Sequence, residues 1–208
     1  MGRSQRIYVD LDDVVCQTIE LLVDLLAAEF GRRVAVAEVT CFDLSASFGL
    51  GPEELERFMD RAHDPEVLQR YQLRSGALEG LAGWRGQGRE IWIVTGRPAS
   101  AAPGTRRWLE RVGVPFDELL FVQKYSGRTY DPGDDGATVA VEELGSLGFD
   151  LAVEDSAEMA VRLRDELQVP VLLLDRPWNR DLPDEPGRLR RCADWAEVLA
   201  RAPSPPGR

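Results

Sequence analysis

Two side chains that usually recur are nearly missing: His63 and Lys124 each stand alone of their type in 208 residues. A single histidine excludes a multi-histidine metal centre. A Ser/His/Asp triad would have to recruit that one residue, and no nucleophile-elbow sequence accompanies it. Cysteine is scarce too. Cys16, Cys41 and Cys192 are odd in number, scattered and without metal-type spacing, so reduced structural thiols are expected. Long apolar runs are lacking as well: stretches such as Val169-Pro-Val-Leu-Leu-Leu174 are strand-sized and far short of a membrane span. Neither a P-loop nor a dinucleotide glycine fingerprint is present, which argues against P-loop ATP hydrolysis. Met1-Gly-Arg-Ser-Gln-Arg6 runs into a strand instead of an apolar targeting segment, so a cytoplasmic location is expected.

Positive charge is also in deficit, 25 basic against 36 acidic residues, for a formal net charge of −11. The arginines are spread along the chain, so a polymeric nucleic acid is excluded as the expected partner. A small anionic substrate would meet the same repulsion. A bound cation or a local arginine cluster would have to mask it.

What is present is an α/β pattern, short apolar runs alternating with amphipathic stretches, as in a parallel sheet flanked by crossover helices. Strands are expected at Ile7–Asp10, Glu90–Val94, Glu118–Val122, Asp150–Val153 and Pro170–Leu174. Helices are expected at Thr18–Phe30, Thr105–Val112, Ala137–Leu147, Ser156–Leu167 and Asp194–Ala200. Nearly eighty residues separate the first two strands, where a crossover needs about a dozen plus loops. Residues 14–88 therefore read as an inserted, mostly helical cap, with Pro52 and Pro65 opening helices. Residues 1–13 and 89–201 form the α/β core, and the Pro-rich 202–208 reads as a disordered tail.

The chemistry concentrates at strand ends. Ile7-Tyr-Val-Asp-Leu-Asp-Asp13 puts Asp10 and Asp12 on one side of an extended chain at the edge where parallel sheets carry their sites. Like charges held this close need a cation or a shared proton to offset them, and magnesium, which prefers oxygen ligands, would do so. Ile91-Trp-Ile-Val-Thr-Gly-Arg97 ends in Thr95, a hydroxyl donor for a phosphate oxygen. Gly96 follows and permits close backbone approach, and then comes Arg97, which reaches either phosphate or a salt bridge. Lys124 follows the third strand. An ammonium kept in a chain that otherwise uses arginine suits a tight pocket holding a carboxylate and a phosphate. Leu151-Ala-Val-Glu-Asp155 ends a fourth strand in two acids, with Asp155 a metal ligand and Glu154 an orienting partner of the metal's waters or of Lys124.

Asp-x-Asp, Thr, Lys and acid-acid at four successive strand ends resembles the haloacid-dehalogenase superfamily over nearly the whole chain. The resemblance implies a Rossmann-like core with an inserted cap and a Mg²⁺-dependent phosphatase. In such an enzyme Asp10 is the nucleophile that forms an aspartyl-phosphate, and Asp12 is the general acid/base. Mg²⁺ is bound by Asp10, the Asp12 backbone carbonyl and Asp155, while Thr95, Gly96, Arg97 and Lys124 hold the phosphoryl group. Asp12 also favours phosphatase over dehalogenase chemistry. Two departures stand out: Asp13 where many members have glycine, and the lysine's place after the third strand instead of near the fourth motif.

The short size, the cap position and Arg176-Pro-Trp-Asn-Arg180 are similar to the 5′(3′)-deoxyribonucleotidase branch, which implies a small phosphorylated metabolite such as a nucleoside monophosphate as substrate. Phe42, Phe48, Phe58, Tyr71 and Trp178, with Asn179 as polar reader, could wall such a site, although core packing is the commoner fate of such aromatics. The alternative is a phospho-acceptor or ligand-binding regulatory protein with similar site geometry and no turnover. The place of the insertion after the first strand weighs against a receiver-type acceptor.

Overall fold

The structure is a computed structural model that describes residues 3–124 and 138–204. Six strands, β1 (Arg6–Asp10), β2 (Glu90–Thr95), β3 (Glu118–Phe121), β4 (Leu151–Glu154), β5 (Val171–Leu174) and β6 (Leu189–Cys192), form one sheet in the order β3-β2-β1-β4-β5-β6. Every pairing is parallel. Val9 sits in register between Ile93 and Val153, so β1 is central, and the chain winds outward to β3 before returning to β4 on the other side. That reversal opens a crevice at the carboxyl ends of β1 and β4, the place where open α/β sheets bind ligands.

The two-residue period of β1 divides the core. Ile7, Val9 and Leu11 join one layer with Ile91, Ile93, Trp108 and Trp195, while Tyr8 joins the other with Ala152, Leu173, Phe149 and Leu163. Helices cover both faces, as an apolar parallel sheet requires.

Between β1 and β2 lie α1 (Thr18–Phe30), α2 (Leu44–Phe48), α3 (Pro52–Ala62), α4 (Pro65–Leu68) and α5 (Ala77–Gly86). Ile19, Leu22, Leu25 and Leu26 of α1 pack with Phe48, Leu55 and Phe58 as a third apolar cluster. Helix α5 behaves differently: Ala77, Leu81 and Trp84 share the layer of Ile91 and Trp195. The later helices are α6 (Ala102–Val112), α7 (Ala157–Asp165) and α8 (Trp195–Arg201).

Some boundaries differ from the sequence reading for local reasons. Helix α6 begins before Thr105 because Pro103 is tolerated in the first turn, where its missing N–H costs nothing. The described part of the expected helix Ala137–Leu147 forms a 3-10 helix, Val141–Leu147, which includes the weak helix former Gly145; its first residue and part of the expected tail lie outside the described residues. Strand β6 was not expected at all.

Candidate active site

The turn after β1 is fixed by its own backbone and by neighbours. The N–H groups of Val15 and Cys16 donate to the Leu11 carbonyl at 2.9 and 3.0 Å, and the Trp195 indole donates to the Val14 carbonyl at 2.8 Å. Asp13 takes the left-handed conformation, φ 58°, which aspartate tolerates better than most non-glycine residues. Its carboxylate accepts from the Thr18 and Ile19 N–H groups at 3.2 and 3.1 Å, satisfying donors at the start of α1, and from Arg74 at 2.7 Å. A carboxylate that caps the next helix is thus the physical use of the position where glycine is common. Burial nevertheless lifts the Asp13 pKa, against the pull of Arg74, to about 7.

At the ends of β1 and β4, Asp10, Glu154 and Asp155 are buried, with one carboxylate oxygen from each lying within 4.8 Å of the others. Lys124 joins two of them: its Nζ donates to Asp10 Oδ1 at 2.5 Å and to Glu154 Oε1 at 2.9 Å. Glu154 also accepts from the Tyr8 hydroxyl at 3.1 Å and from the Asp155 and Ser156 N–H groups at 2.7 and 3.1 Å. With both oxygens so engaged, Glu154 suits an anchor of the cluster better than a ligand. Burial, then the repulsion of Glu154, holds Asp10 and Asp155 well above the usual carboxylate range, although Lys124 pulls Asp10 the other way. Three buried carboxylates, two of them bonded to the ammonium, fit a hard cation, which would offset the charge that now disfavours ionisation.

Asp12 faces elsewhere. Its carboxylate accepts from Arg97 Nη2 at 2.7 Å and Nε at 3.1 Å, from Thr18 Oγ1 at 2.7 Å and from Thr95 Oγ1 at 3.0 Å. Burial alone would raise its pKa, but the Arg97 charge and these hydrogen bonds outweigh it and hold Asp12 below the ordinary carboxylate value. The structure therefore groups Asp10 and Asp155 with Glu154 as a carboxylate cluster, while the side chain of Asp12 lies outside it.

Arg97 is almost wholly buried, stacked 4.7 Å from the centre of the Tyr71 ring and hydrogen-bonded to Thr105 Oγ1 at 3.2 Å. Its fork is committed to Asp12. Thr95 is fully buried and its hydroxyl is shared between Asp12 and the Arg97 N–H, while Gly96 borders the cavity. That cavity, of about 600 Å³, runs from Asp10, Asp12 and Lys124 into the inserted segment. The expected aromatic wall separates into two sets. Phe42, Tyr71 and Trp178 line the cavity, whereas Phe48 and Phe58 pack edge to face, 5.5 Å apart, in the insert's own core. Asn179 is not a reader, because it is buried and donates to the carbonyls of Leu174 and Asp155 at 2.7 Å. His63 also lines the cavity, and burial and then the charge of Arg97 push its pKa down to about 4, so it is neutral at pH 7.

The sequence reading missed Tyr8, Thr18 and Arg74 as partners of the acidic residues. Tyr8 had a signal, as a polar-tipped residue between the aliphatic Ile7 and Val9 of β1; Arg74 had none.

No family model matches the chain. In sequence it is 25% identical over 198 residues to the candidate nucleotidase BH1399 of Halalkalibacterium halodurans, covering 95% of this chain and 92% of that protein. It is 22% identical over 194 residues to the candidate nucleotidase YqfW of Bacillus subtilis, covering 93% and 91%. In fold it matches the haloacid-dehalogenase-like hydrolase SP0104 of Streptococcus pneumoniae with a TM-score of 0.66, covering 95% and 97% of the two chains at 16% identity. The chain thus shares its parallel α/β fold with a haloacid-dehalogenase-like hydrolase of known structure. The relatives it resembles along nearly its whole length carry nucleotidase names. Among the described residues, no helix is long and apolar enough to cross a membrane.

Proposed function

We propose that the protein hydrolyses a phosphomonoester through an aspartyl-phosphate on Asp10, with Mg²⁺ as cofactor and a nucleoside monophosphate as substrate. The observation that carries this reading is the junction of Asp10, Lys124, Glu154 and Asp155 on the wall of a cavity whose part beneath the inserted segment is lined mainly by apolar and aromatic side chains, Leu22, Val39, Phe42, Leu55 and Met59, with Asp43 and His63 among them. The polar end suits a phosphoryl group and the far end suits a flat, weakly polar leaving group.

Asp10 is the nucleophile. Lys124 orients its Oδ1 and would balance charge on the transferring group, and Glu154, with all its lone pairs directed, keeps Lys124 in place. Asp10, Asp155 and the Asp12 backbone carbonyl would hold Mg²⁺, which when bound neutralises phosphoryl charge and lets Asp10 stay ionised. Asp12 serves as acid and base. Its lowered pKa suits the second half-reaction, in which it takes a proton from water; donating one to the leaving oxygen requires the Arg97 pair to loosen first. Residues 14–88, apart from the sheet-packed α5, act as the cap that closes the cavity and reads the leaving group.

The test is a panel of phosphomonoesters, nucleoside monophosphates and para-nitrophenyl phosphate included, assayed with and without Mg²⁺. Turnover should need the metal and should vanish in Asp10→Asn with the circular dichroism spectrum unchanged. Undiminished turnover in that variant refutes the nucleophile.

A further inference from the structure

Asp155 has a second neighbour besides the carboxylates. The indole Nε1–H of Trp178 donates to Asp155 Oδ2 at 2.9 Å. The 3-10 turn that carries it, Pro177–Asn179, is held rigidly to the sheet edge. Asn179 donates to the Leu174 and Asp155 carbonyls at 2.7 Å and accepts from Arg191 Nη1 at 2.6 Å. On its other side the indole meets Phe42 edge to face, with centroids 6.3 Å apart and planes at 79°. It also packs on the apolar cluster of the inserted segment, whose 3-10 turn Val36–Glu38 lies against Pro177–Asn179. One side chain thus touches both a cation-site carboxylate and the segment that covers the cavity.

We propose that Trp178 is a positioning residue of the cation site: its N–H fixes one oxygen of Asp155 and so aims the other, while its ring ties that carboxylate to the inserted segment through Phe42. The inference rests on the reading of Asp155 as a metal ligand. Outer partners of ligating carboxylates set ligand orientation, and losing one costs metal affinity. Because the same indole contacts the insert, the coupling runs both ways: a bound cation favours the packed insert, and the packed insert favours the cation.

Direct Mn²⁺ binding, followed in the full chain by the paramagnetic resonance signal of the free ion, tests this without any turnover. Trp178→Phe keeps the ring bulk and removes the donor, and should weaken Mn²⁺ binding by about tenfold. Phe42→Ala leaves the donor and loosens the insert, and should weaken it by about fivefold. Asp155→Asn serves as the reference for loss of a ligand. If Asp155→Asn abolishes binding while the other two stay within about twofold of wild type, the role of Trp178 is refuted and the metal site stands. If the wild-type chain takes up no Mn²⁺, the metal site and this inference fall together. Should Trp178→Phe lose its cooperative thermal unfolding transition, Phe42→Ala decides, and an unchanged affinity there overturns the proposal.

Discussion

Replacing Asp155 by asparagine should make the metal-free protein more stable while removing its response to metal. The reason is crowding. Oxygens of Asp10, Glu154 and Asp155 lie within 4.8 Å of one another, and at an effective dielectric near 20 two unit charges at that distance repel by about 3 kcal/mol. Lys124 bonds Asp10 and Glu154, whereas Asp155 accepts from the Trp178 indole. Burial, and then the repulsion of Glu154 and Asp10, pushes the Asp155 pKa well above the ordinary carboxylate value, which relieves part of that penalty. The asparagine keeps a carbonyl acceptor for Trp178 and has a similar shape, so the net gain should be about 2 kcal/mol. For a chain of this size that corresponds to a rise in Tm of roughly 4–8 °C. Thermal unfolding at pH 7.5 in chelator should show the rise. In saturating Mg²⁺ the order should invert, because only wild type gains the linkage stabilisation, about 2.7 kcal/mol at one hundred times Kd. A metal-free variant that melts below wild type refutes the crowding argument.

The pH dependence follows from the same groups. Asp10, Asp13 and Asp155 all have folded pKa values above their unfolded value of 3.8, so the native state binds more protons; the stability is fully present below pH 3.8 and is lost as pH rises through the folded values, which for Asp13 is about 7. Metal-free Tm should therefore fall between pH 5 and pH 7.5, and the Mg²⁺-induced rise in Tm should grow over the same interval; a metal effect independent of pH contradicts proton displacement at this cluster. Lys124→Arg should lose at least tenfold in kcat, since the planar fork cannot bridge Asp10 and Glu154 as a compact ammonium does, and a wild-type rate would remove Lys124 from the site. Asp13→Gly relieves a left-handed aspartate but strips the cap from α1 and the partner from Arg74, and should cost about 1 kcal/mol in a denaturant titration; unchanged stability would refute the capping role.

The sheet was readable because β1, β4 and β5 are buried on both faces nearly throughout, and β2 and β3 on at least one, so that all five appear as short apolar runs. Strand β6 is Leu-Arg-Arg-Cys at the sheet edge, and its arginines hide the pattern. What places Arg191 there is distant: Asp175, Asn179 and the Leu182 carbonyl, all within 2.8 Å, and none of these is marked by sequence spacing. The site had the same mixture. Asp10, Lys124, Glu154 and Asp155 sit at strand ends, where position in the chain already implies position at the edge. The roles of Tyr8, Arg74 and Trp178 depend on contacts across 61 residues (Arg74 to Asp13) or 146 (Tyr8 to Glu154), which no local pattern encodes.

Arg97 shows where residue type misleads most. An arginine two residues after the strand-end Thr95 invites assignment to the substrate, yet its guanidinium is buried and engaged by Asp12, Thr105 and the Tyr71 face. Asp12 in turn has Arg97, Thr18 and Thr95 for partners, so the residue proposed to shuttle a proton is held toward its ionised form. A carboxylate so held is a good place to put a base and a poor place to store a proton. Thr95 links the two demands, because the hydroxyl that would meet a phosphoryl oxygen is the one that now donates to Asp12. Drawing that hydroxyl toward substrate removes one of the bonds that keep the Asp12 pKa low. The proton affinity of Asp12 would then rise when a phosphoryl group is in place to make use of it, and occupancy of the site and readiness of the acid become one event.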